Sequence, residues 1–347
     1  MKIALVEIDG SHDECLYTQL LFVKGFSQET DLICASNMKN QVQYFDSLDA
    51  KYFFNFHGSK LKRILSVFKL WRLINKNKYN FVIFNTAQGS LIRNLMLLPY
   101  SKKINFIGVM HNGNKLIKSG NQRIINKKIS KYFVLNEYVK SIQKDINNIK
   151  IASFYPIFFP KFKNFEIHKN LNEIWISIPG QLQNIRRDYM GLIASLNPKI
   201  TPLNIKFLLL GKSNNQNDGT QIKKLIKDKG LESYFIFWER FIPNNEFHSY
   251  LNKSDFIMPL VSAKNEPAYL KYKISGSFNL AFAYKKPLLM EDSFSNIDDF
   301  KENAIFYNYK DINEIISTLN PIRNTYQNPK WSFEYQKNNY LEFITKP

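Results

Sequence analysis

The segment EIWISIPGQLQNIRRDYMGLIASL, residues 173–196, decides the reading of the fold. It opens on a short apolar run of the kind that forms a strand buried on both faces, and that run closes on Pro179-Gly180. A polar loop follows, and the pair Arg186-Arg187 opens an amphipathic helix. Strand, glycine turn and helix in that order form the repeating unit of a parallel sheet with helices on its faces.

The unit recurs in both directions. Downstream lie IKFLLLG (205–211), YFIFW (234–238), DFIMPL (255–260), PLLM (287–290) and AIFYN (304–308). Upstream lie KIALVEI (2–8), DLICA (31–35), YFFNFH (52–57), FVIFNT (81–86), INFIGVMH (104–111) and YFVLN (132–136). Segments with helical spacing, such as CLYTQLLFVKGF and SLIRNLMLL, separate them. Between the two series, FYPIFFPKFKNFEIHKN carries Pro156 and Pro160 and no clear period, which marks a domain connection. A chain of 347 residues has room for two domains. The expectation is an α/β protein of two doubly wound domains facing a cleft, residues 1–165 and 166–328. A C-terminal crossover helix at 329–347 packs back on the first. Ligands of doubly wound sheets bind beyond the carboxyl ends of the strands, so those ends carry the candidate sites.

The formal charge of +19 is unevenly placed, +13 on residues 1–160 and +6 on residues 161–347. No acidic residue occurs between Asp49 and Glu137, an interval with 17 Lys and Arg. Such a block attracts something anionic: a bilayer surface, a phosphorylated acceptor or nucleic acid. A coding bias towards Lys, Asn, Ile, Phe and Tyr accounts for the lysines, and less well for the missing carboxylates. Within the interval, HGSKLKRILSVFKLWRLINKNK (57–78) sets Leu61, Ile64, Leu65, Phe68, Trp71 and Leu73 at helical spacing. Lys60, Lys62, Arg63, Lys69, Arg72 and Lys76 surround them. A basic amphipathic helix of this kind either rests on anionic headgroups or packs its apolar stripe on its own sheet.

No window approaches the length of a membrane span, and MKIALVEIDG reads as a first strand rather than a signal peptide. Cys15 and Cys34 sit in apolar segments without zinc or disulfide spacing and are expected to pack in the core of a protein from a reducing cytoplasm. Peripheral contact with the inner face of the membrane fits the charge. The basic interval shows no finger, helix-turn-helix or RNA-recognition signature, so nucleic acid is not the expected partner.

Arg186 and Arg187, at the end of the second series' first strand, can grip a phosphate through paired hydrogen bonds; alternatively Arg187 pairs with Asp188 at a solvated helix start. In KYKISGSFNLAFAYKKPLL (271–289), Ser275, Gly276 and Ser277 precede a helix whose first-turn N–H groups suit a diphosphate. Lys271 and Lys273 could neutralise the same group, although an ordinary capped helix also selects Ser and Gly. In the first series, His111 ends a strand and leads into the flexible loop Asn112-Gly113-Asn114, which points it into the proposed cleft, where a histidine suits acid/base work. The loop Asp9-Gly10-Ser11-His12-Asp13-Glu14 lies at the same edge. Gly10 and Ser11 would let an acceptor approach, and His12, Asp13 or Glu14 could orient or deprotonate its hydroxyl; Asp13 could equally be a helix N-cap. Asn85, Thr86, Gln88 and Gly89 are further candidates for acceptor contact.

Gly180-Gln181-Leu182 followed by Arg186-Arg187-Asp188-Tyr189 resembles the segment that opens the C-terminal domain of GT-B glycosyltransferases, especially the family 4 group. LESYFIFWERFIPNNEFHSYLNKSDFIMPL, which contains Glu239, and SGSFNLAFAYKKPLL are similar to later segments of that domain, so the likeness covers most of residues 173–290. It implies a GT-B fold of two Rossmann-like domains, with Gly180, Gln181, Arg186, Arg187, Glu239, Lys271, Lys273, Ser275, Gly276 and Ser277 at the donor and His111 against the donor sugar. The chain departs from the pattern in three places. Gln181 stands where an arginine often follows the glycine, the turn is Ser-Gly-Ser, and Leu280 stands where the second of two glutamates is expected, with Glu266 the nearest upstream carboxylate.

The activity this implies is hexosyl transfer from a nucleotide diphosphate sugar to a cell-surface glycan or lipid-linked acceptor, in polysaccharide biosynthesis. A UDP-sugar is favoured and a GDP-sugar is the alternative. Fixed cations and the helix terminus would stabilise the leaving group without a metal or other cofactor. No Asp-x-Asp or His cluster is found, and Asp298-Asp299 is assigned to a surface helix. A sugar-nucleotide epimerase of the same architecture is the alternative enzyme, and a basic nucleic-acid-binding protein the alternative from another class.

Overall fold

The computed structural model describes residues 1–42, 45, 48–142, 148–214, 217–321 and 326–346. The chain forms two compact units. The first comprises Met1–Pro160, Tyr272–Ile274 and Pro329–Pro347; the second comprises Lys161–Lys271 and Ser275–Asn328.

The first unit is built on seven strands: β1 (Lys2–Glu7), β2 (Glu29–Ala35), β3 (Ala50–Phe54), β4 (Phe81–Phe84), β5 (Asn105–Met110), β6 (Lys131–Leu135) and β7 (Lys150–Phe154). Every pairing is parallel, in the order β3-β2-β1-β4-β5-β6-β7. The central strands are buried on both faces, which is why they read as unbroken apolar runs. The order reverses between β1 and β4, and a switch point of this kind opens a crevice beyond the carboxyl ends of the two strands. β7 was not among the expected strands. KIASF is an edge strand with only Phe154 fully buried, and Lys150 and Ser153 break the apolar run that marks the others.

The helix Phe333–Thr345 belongs to this unit, as expected of the C-terminal segment. Ser332 caps it by accepting from the Tyr335 N–H at 3.3 Å. Tyr340 is fully buried, stacks on Phe133 at 4.4 Å and lies among Phe22 and Phe154. Burial of a side chain of that size contributes about 2 kcal/mol. Cys15 and Cys34 are free thiols in the core.

The helix Lys60–Asn77 packs a different stripe from the one its pattern suggests. Val67, Leu70 and Ile74 are buried, whereas Leu61, Ile64, Leu65 and Phe68 are exposed. The helix is therefore apolar along two lines, and only the inner one packs on its own unit.

The second unit carries β8 (Ile174–Pro179), β9 (Ile205–Lys212), β10 (Phe235–Trp238), β11 (Phe256–Ile257), β12 (Leu288–Glu291) and β13 (Ala304–Tyr307). They are again all parallel, in the order β10-β9-β8-β11-β12-β13, with the switch point between β8 and β11. Its core joins Ile176, Ile178, Phe207 and Leu209 of the sheet to Leu192, Ile193, Ile222 and Ile226 of the covering helices. Asp298 is exposed on a short helix as expected, whereas Asp299 is buried, which corrects its placement at the surface. No helix among the described residues is long and apolar enough to cross a membrane.

Candidate functional site

In the first unit, the groups singled out after β1, β4 and β5 meet at the switch point. His12 precedes the helix Asp13–Val23 with φ 66° and ψ 41°, a left-handed conformation that costs a residue with a Cβ about 1 kcal/mol. Its carbonyl accepts from Asn85 Nδ2 at 3.0 Å, which helps hold it there. The His12 ring stacks on His111 with centroids 3.7 Å apart and planes 15° apart.

His111 Nε2 lies 2.7 Å from the Asn85 carbonyl. A carbonyl only accepts, so Nε2 carries the proton, and in the neutral ring Nδ1 keeps its lone pair. Burial, followed by the charge of His12, pushes His111 down to about 3, so the ring is neutral across the physiological range. His12 moves the other way. Burial pulls it down, but the hydrogen bond to Glu14 Oε1 at 3.4 Å and the charges of Glu14, Glu7 and Asp9 prevail and raise it. Burial pushes Glu14 up, yet His12 outweighs burial and holds that carboxyl below its usual range. Burial and the neighbouring Glu14 raise Asp13 to about 6. The switch point thus holds an imidazole that keeps its proton more tightly than usual, a neutral imidazole and a carboxyl that titrates close to neutrality, a set suited to proton transfer. Asp13 is the first residue of the helix and His12 occupies the cap position, so Asp13 is not the N-cap.

Beneath this set lies a network that the sequence reading missed. Glu7, fully buried at the end of β1, accepts from the Asp9 N–H at 2.6 Å, Asn85 Nδ2 at 2.8 Å and Thr86 Oγ1 at 2.6 Å. Burial raises its carboxyl, and these three hydrogen bonds oppose the rise. Asn85 Oδ1 accepts from Gln19 Nε2 at 2.6 Å, and Gln19 Oε1 accepts from the Tyr340 hydroxyl at 2.9 Å. The side chain of Asn85 is therefore fully buried and committed to the network. It positions His111 through its carbonyl instead of meeting an acceptor. A lone carboxylate ending the apolar run of β1 was the available signal. Gly10 has φ +79°, and a Cβ there would lie 2.5 Å from Asn37 Nδ2. Its missing side chain admits Asn37, which donates to the Gly10 carbonyl. Asn112 Oδ1 accepts from the Asn114 N–H, and Ser11 is exposed.

In the second unit, β8 is followed by Gly180 with φ +111°, where a Cβ would lie 2.4 Å from Arg187 Nη2. Glycine thus lets the guanidinium lie against the backbone. Arg187 Nη2 donates to the Pro179 carbonyl at 2.7 Å and to Ser277 Oγ at 3.3 Å, and Nη1 donates to the Gln181 carbonyl at 3.3 Å. Ser277 Oγ also reaches Pro179 O at 3.2 Å, and Ser275 Oγ accepts from the Ser277 N–H at 3.4 Å. Both serine side chains are thus committed: Ser275 caps the helix Gly276–Tyr284 and Ser277 ties it to the end of β8. Gly276 is the exposed position of that first turn, with open space where a Cβ would stand. Arg186 is exposed and has no side-chain partner among the described residues. Asp188 caps the next helix by accepting from the Gly191 N–H at 2.9 Å, so the helix starts at Tyr189, after both arginines, and Asp188 does not pair with Arg187.

Beside Gly180 opens a cavity of about 480 Å³ at the carboxyl ends of β8, β9 and β10. Gly180, Gln181, Gly211, Asn214, Phe241 and Phe247 line it. Phe241, 74% exposed, forms an aromatic lip. Phe241, Phe247 and Asn214 were not anticipated from sequence, although an exposed aromatic just beyond a strand's carboxyl end was the signal available. Glu239 is not part of this wall. It is exposed and paired with Lys223 at 2.7 Å, and that hydrogen bond holds its carboxyl below the usual range. Lys271 is exposed in the second unit. Lys273 belongs to the first unit, because residues 272–274 are anchored there: Tyr138 donates to the Lys273 carbonyl at 2.6 Å and Gly113 N–H to the Tyr272 carbonyl at 3.1 Å. Among the described residues no group of three or more His, Cys, Asp or Glu could hold a metal ion.

No protein-family model matches the sequence, and no curated protein matches it. Solved structures match along its whole length. The UDP-GlcNAc 2-epimerase from Methanocaldococcus jannaschii superposes with a TM-score of 0.65 at 11% identity over 99% of each chain. Anabaena HepE in complex with UDP gives 0.62 at 12% identity over 99% of this chain and 95% of that one. A glycosyltransferase from Rickettsia africae gives 0.60 at 14% identity, over 99% and 93%. At such identities the likeness is one of fold, and that fold is the two-domain Rossmann-like α/β architecture of the GT-B type.

Proposed function

We propose that the chain is a glycosyltransferase that holds a nucleoside diphosphate sugar, UDP favoured, on its second unit and carries its acid–base groups on the first. The cavity beside Gly180 carries this reading. Aromatic faces at Phe241 and Phe247 and side-chain amides at Gln181 and Asn214 suit a nucleobase. Gly180 joins that cavity to the Arg187 guanidinium, with Gly276 open on the helix terminus nearby in the same unit. A phosphate there would meet fixed positive charge and the exposed first turn of the helix at Gly276. The family 4 likeness, UDP in the HepE structure and the resemblance of the turn at 275–277 support the same assignment. The acceptor is read as a glycan or lipid-linked sugar.

A second reading, a sugar-nucleotide epimerase, is favoured by the likeness to the Methanocaldococcus enzyme and by the stacked histidines beside Asp13, which suit proton removal from carbon. One experiment separates the two. A thermal-shift screen identifies the nucleotide; ligand at about 100 times its Kd adds about 2.7 kcal/mol of stability. The matching nucleotide sugar is then incubated without acceptor in deuterated water. Deuterium incorporation into the sugar with a change of configuration establishes the epimerase. Nucleotide release that requires an added acceptor establishes the transferase. No shift with any of UDP, GDP, CDP or ADP sugars overturns both.

Arg187→Ala is expected to weaken nucleotide diphosphate binding about 100-fold. It should also cost about 1–2 kcal/mol of stability, because Pro179 O and Ser277 Oγ lose a charged donor. Calorimetric Kd values and a denaturation curve measure the two effects. An unchanged Kd removes Arg187 from the diphosphate seat.

A further inference from the structure

The helix Lys60–Asn77 has a second apolar line that the fold does not use. Its buried residues, Val67, Leu70 and Ile74, recur at three- and four-residue steps and satisfy the packing of the helix on its own unit. Leu61, Ile64, Leu65 and Phe68 recur at the same steps on a face turned about 140° away. They are 67%, 43%, 52% and 46% exposed. Leu97, 63% exposed, extends this surface at the end of the helix Gly89–Met96, and a groove of about 440 Å³ runs between the two helices. An apolar line of four large side chains kept in water is costly, so its occurrence at helical period calls for something to cover it.

The charge around it identifies the cover. Lys62, Lys69 and Lys76 stand seven residues apart in an exposed row along one edge of the line, with Arg72 between row and line. Lys60 and Arg63 stand at the groove. No carboxylate of residues 50–136 interrupts them. A protein partner would need a matching acidic rim around an apolar centre. A bilayer with anionic headgroups supplies both at once, headgroup charge for the lysine row and acyl chains for the leucines, and a helix with this division of faces lies in the plane of such an interface.

We propose that the exposed face of helix Lys60–Asn77, with the adjoining groove, is a docking surface for an anionic bilayer. It seats Leu61, Ile64, Leu65 and Phe68 among the acyl chains and the lysine row on the headgroups. The surface lies wholly in the first unit and is independent of how the second unit's cavity is read.

The test is co-sedimentation of the full chain with phosphatidylcholine vesicles, with and without about 30 mol% phosphatidylglycerol. The protein is expected to pellet with the anionic vesicles alone and to be released at about 0.5 M salt. Leu61→Ser with Leu65→Ser, which leaves the charge unchanged, should weaken binding at least about tenfold. Lys62→Glu, Lys69→Glu and Lys76→Glu together should weaken it by on the order of 100-fold. These side chains are exposed, so circular dichroism and nucleotide binding should match the parent. Failure to pellet with the anionic vesicles overturns the proposal, and so does equal binding by the Leu61/Leu65 variant. A self-association or an oligonucleotide complex that the same variants abolish, without vesicle binding, also overturns it. Lost vesicle binding with intact nucleotide binding would leave the proposed activity standing.

Discussion

His111→Asn is expected to lower turnover about 1,000-fold while leaving nucleotide affinity at the second unit unchanged. Asparagine can still donate to the Asn85 carbonyl that His111 Nε2 meets at 2.7 Å, so the variant removes the basic Nδ1 without orphaning the buried carbonyl. The pH profile gives the sign. His111 is needed neutral, and burial with the His12 charge holds it near 3, so its protonation does not limit activity as pH falls through 6.5. Asp13, raised by burial to about 6, is the group that gains its proton on the way down from neutrality. If Asp13 acts as the base, the acid limb of kcat/KM falls through about 6 and is absent in Asp13→Asn. Full turnover in His111→Asn would sink the assignment of the acid–base set. An acid limb that survives in Asp13→Asn would transfer it to another group.

Gly211→Ala is expected to cost the second unit about 3 kcal/mol and to abolish nucleotide binding with it. A Cβ at Gly211 would stand 2.1 Å from the Gly180 carbonyl oxygen and 2.9 Å from its carbonyl carbon. Both are backbone atoms of adjacent strands whose ends are fixed by the Gly180 N–H donating to Leu210 O at 3.0 Å, so no rotamer relieves the clash. The displaced wall is the one that lines the cavity, which ties the stability loss to the binding loss. Gly276→Ala is the control for stability, because it lies in the same unit and nothing lies within 4 Å of a Cβ there. Denaturant midpoints read for the second unit's own transition measure both. Equal midpoints for the two variants would mean that β8 and β9 can part at no cost, contrary to the packing described.

Much of this was legible along the chain, because it depends on local pattern. Among the described residues twelve of the thirteen strands declared themselves as short apolar runs, the central ones because a parallel strand buried on both faces needs apolar residues at every position. β7 did not, because Lys150 and Ser153 interrupt KIASF and leave it no apolar run. His111, His12, Asp13, Glu14 and Arg187 could be placed together near strand ends because the carboxyl end of a parallel strand is a place that can be named before any contact is known.

What those residues do there depends on groups far away in sequence. Asn85 and Thr86 are 78 and 79 residues from Glu7, and Tyr340 is 321 residues from Gln19, yet they form one buried network that turns Asn85 from a ligand contact into the support of His111. Hydrogen bonds of that separation leave no periodic trace. Likewise Ser277 looks free in sequence, and only the approach of Pro179 and Arg187 shows its hydroxyl turned inward. The period of residues 60–77 reveals an amphipathic helix but not which of its two apolar lines meets the sheet. Sequence by itself determined the two wound sheets and the strand ends that bear polar groups, because burial on both faces is a local demand. Tertiary structure alone decided which polar groups are committed and which face open space, because that depends on partners brought together by the fold.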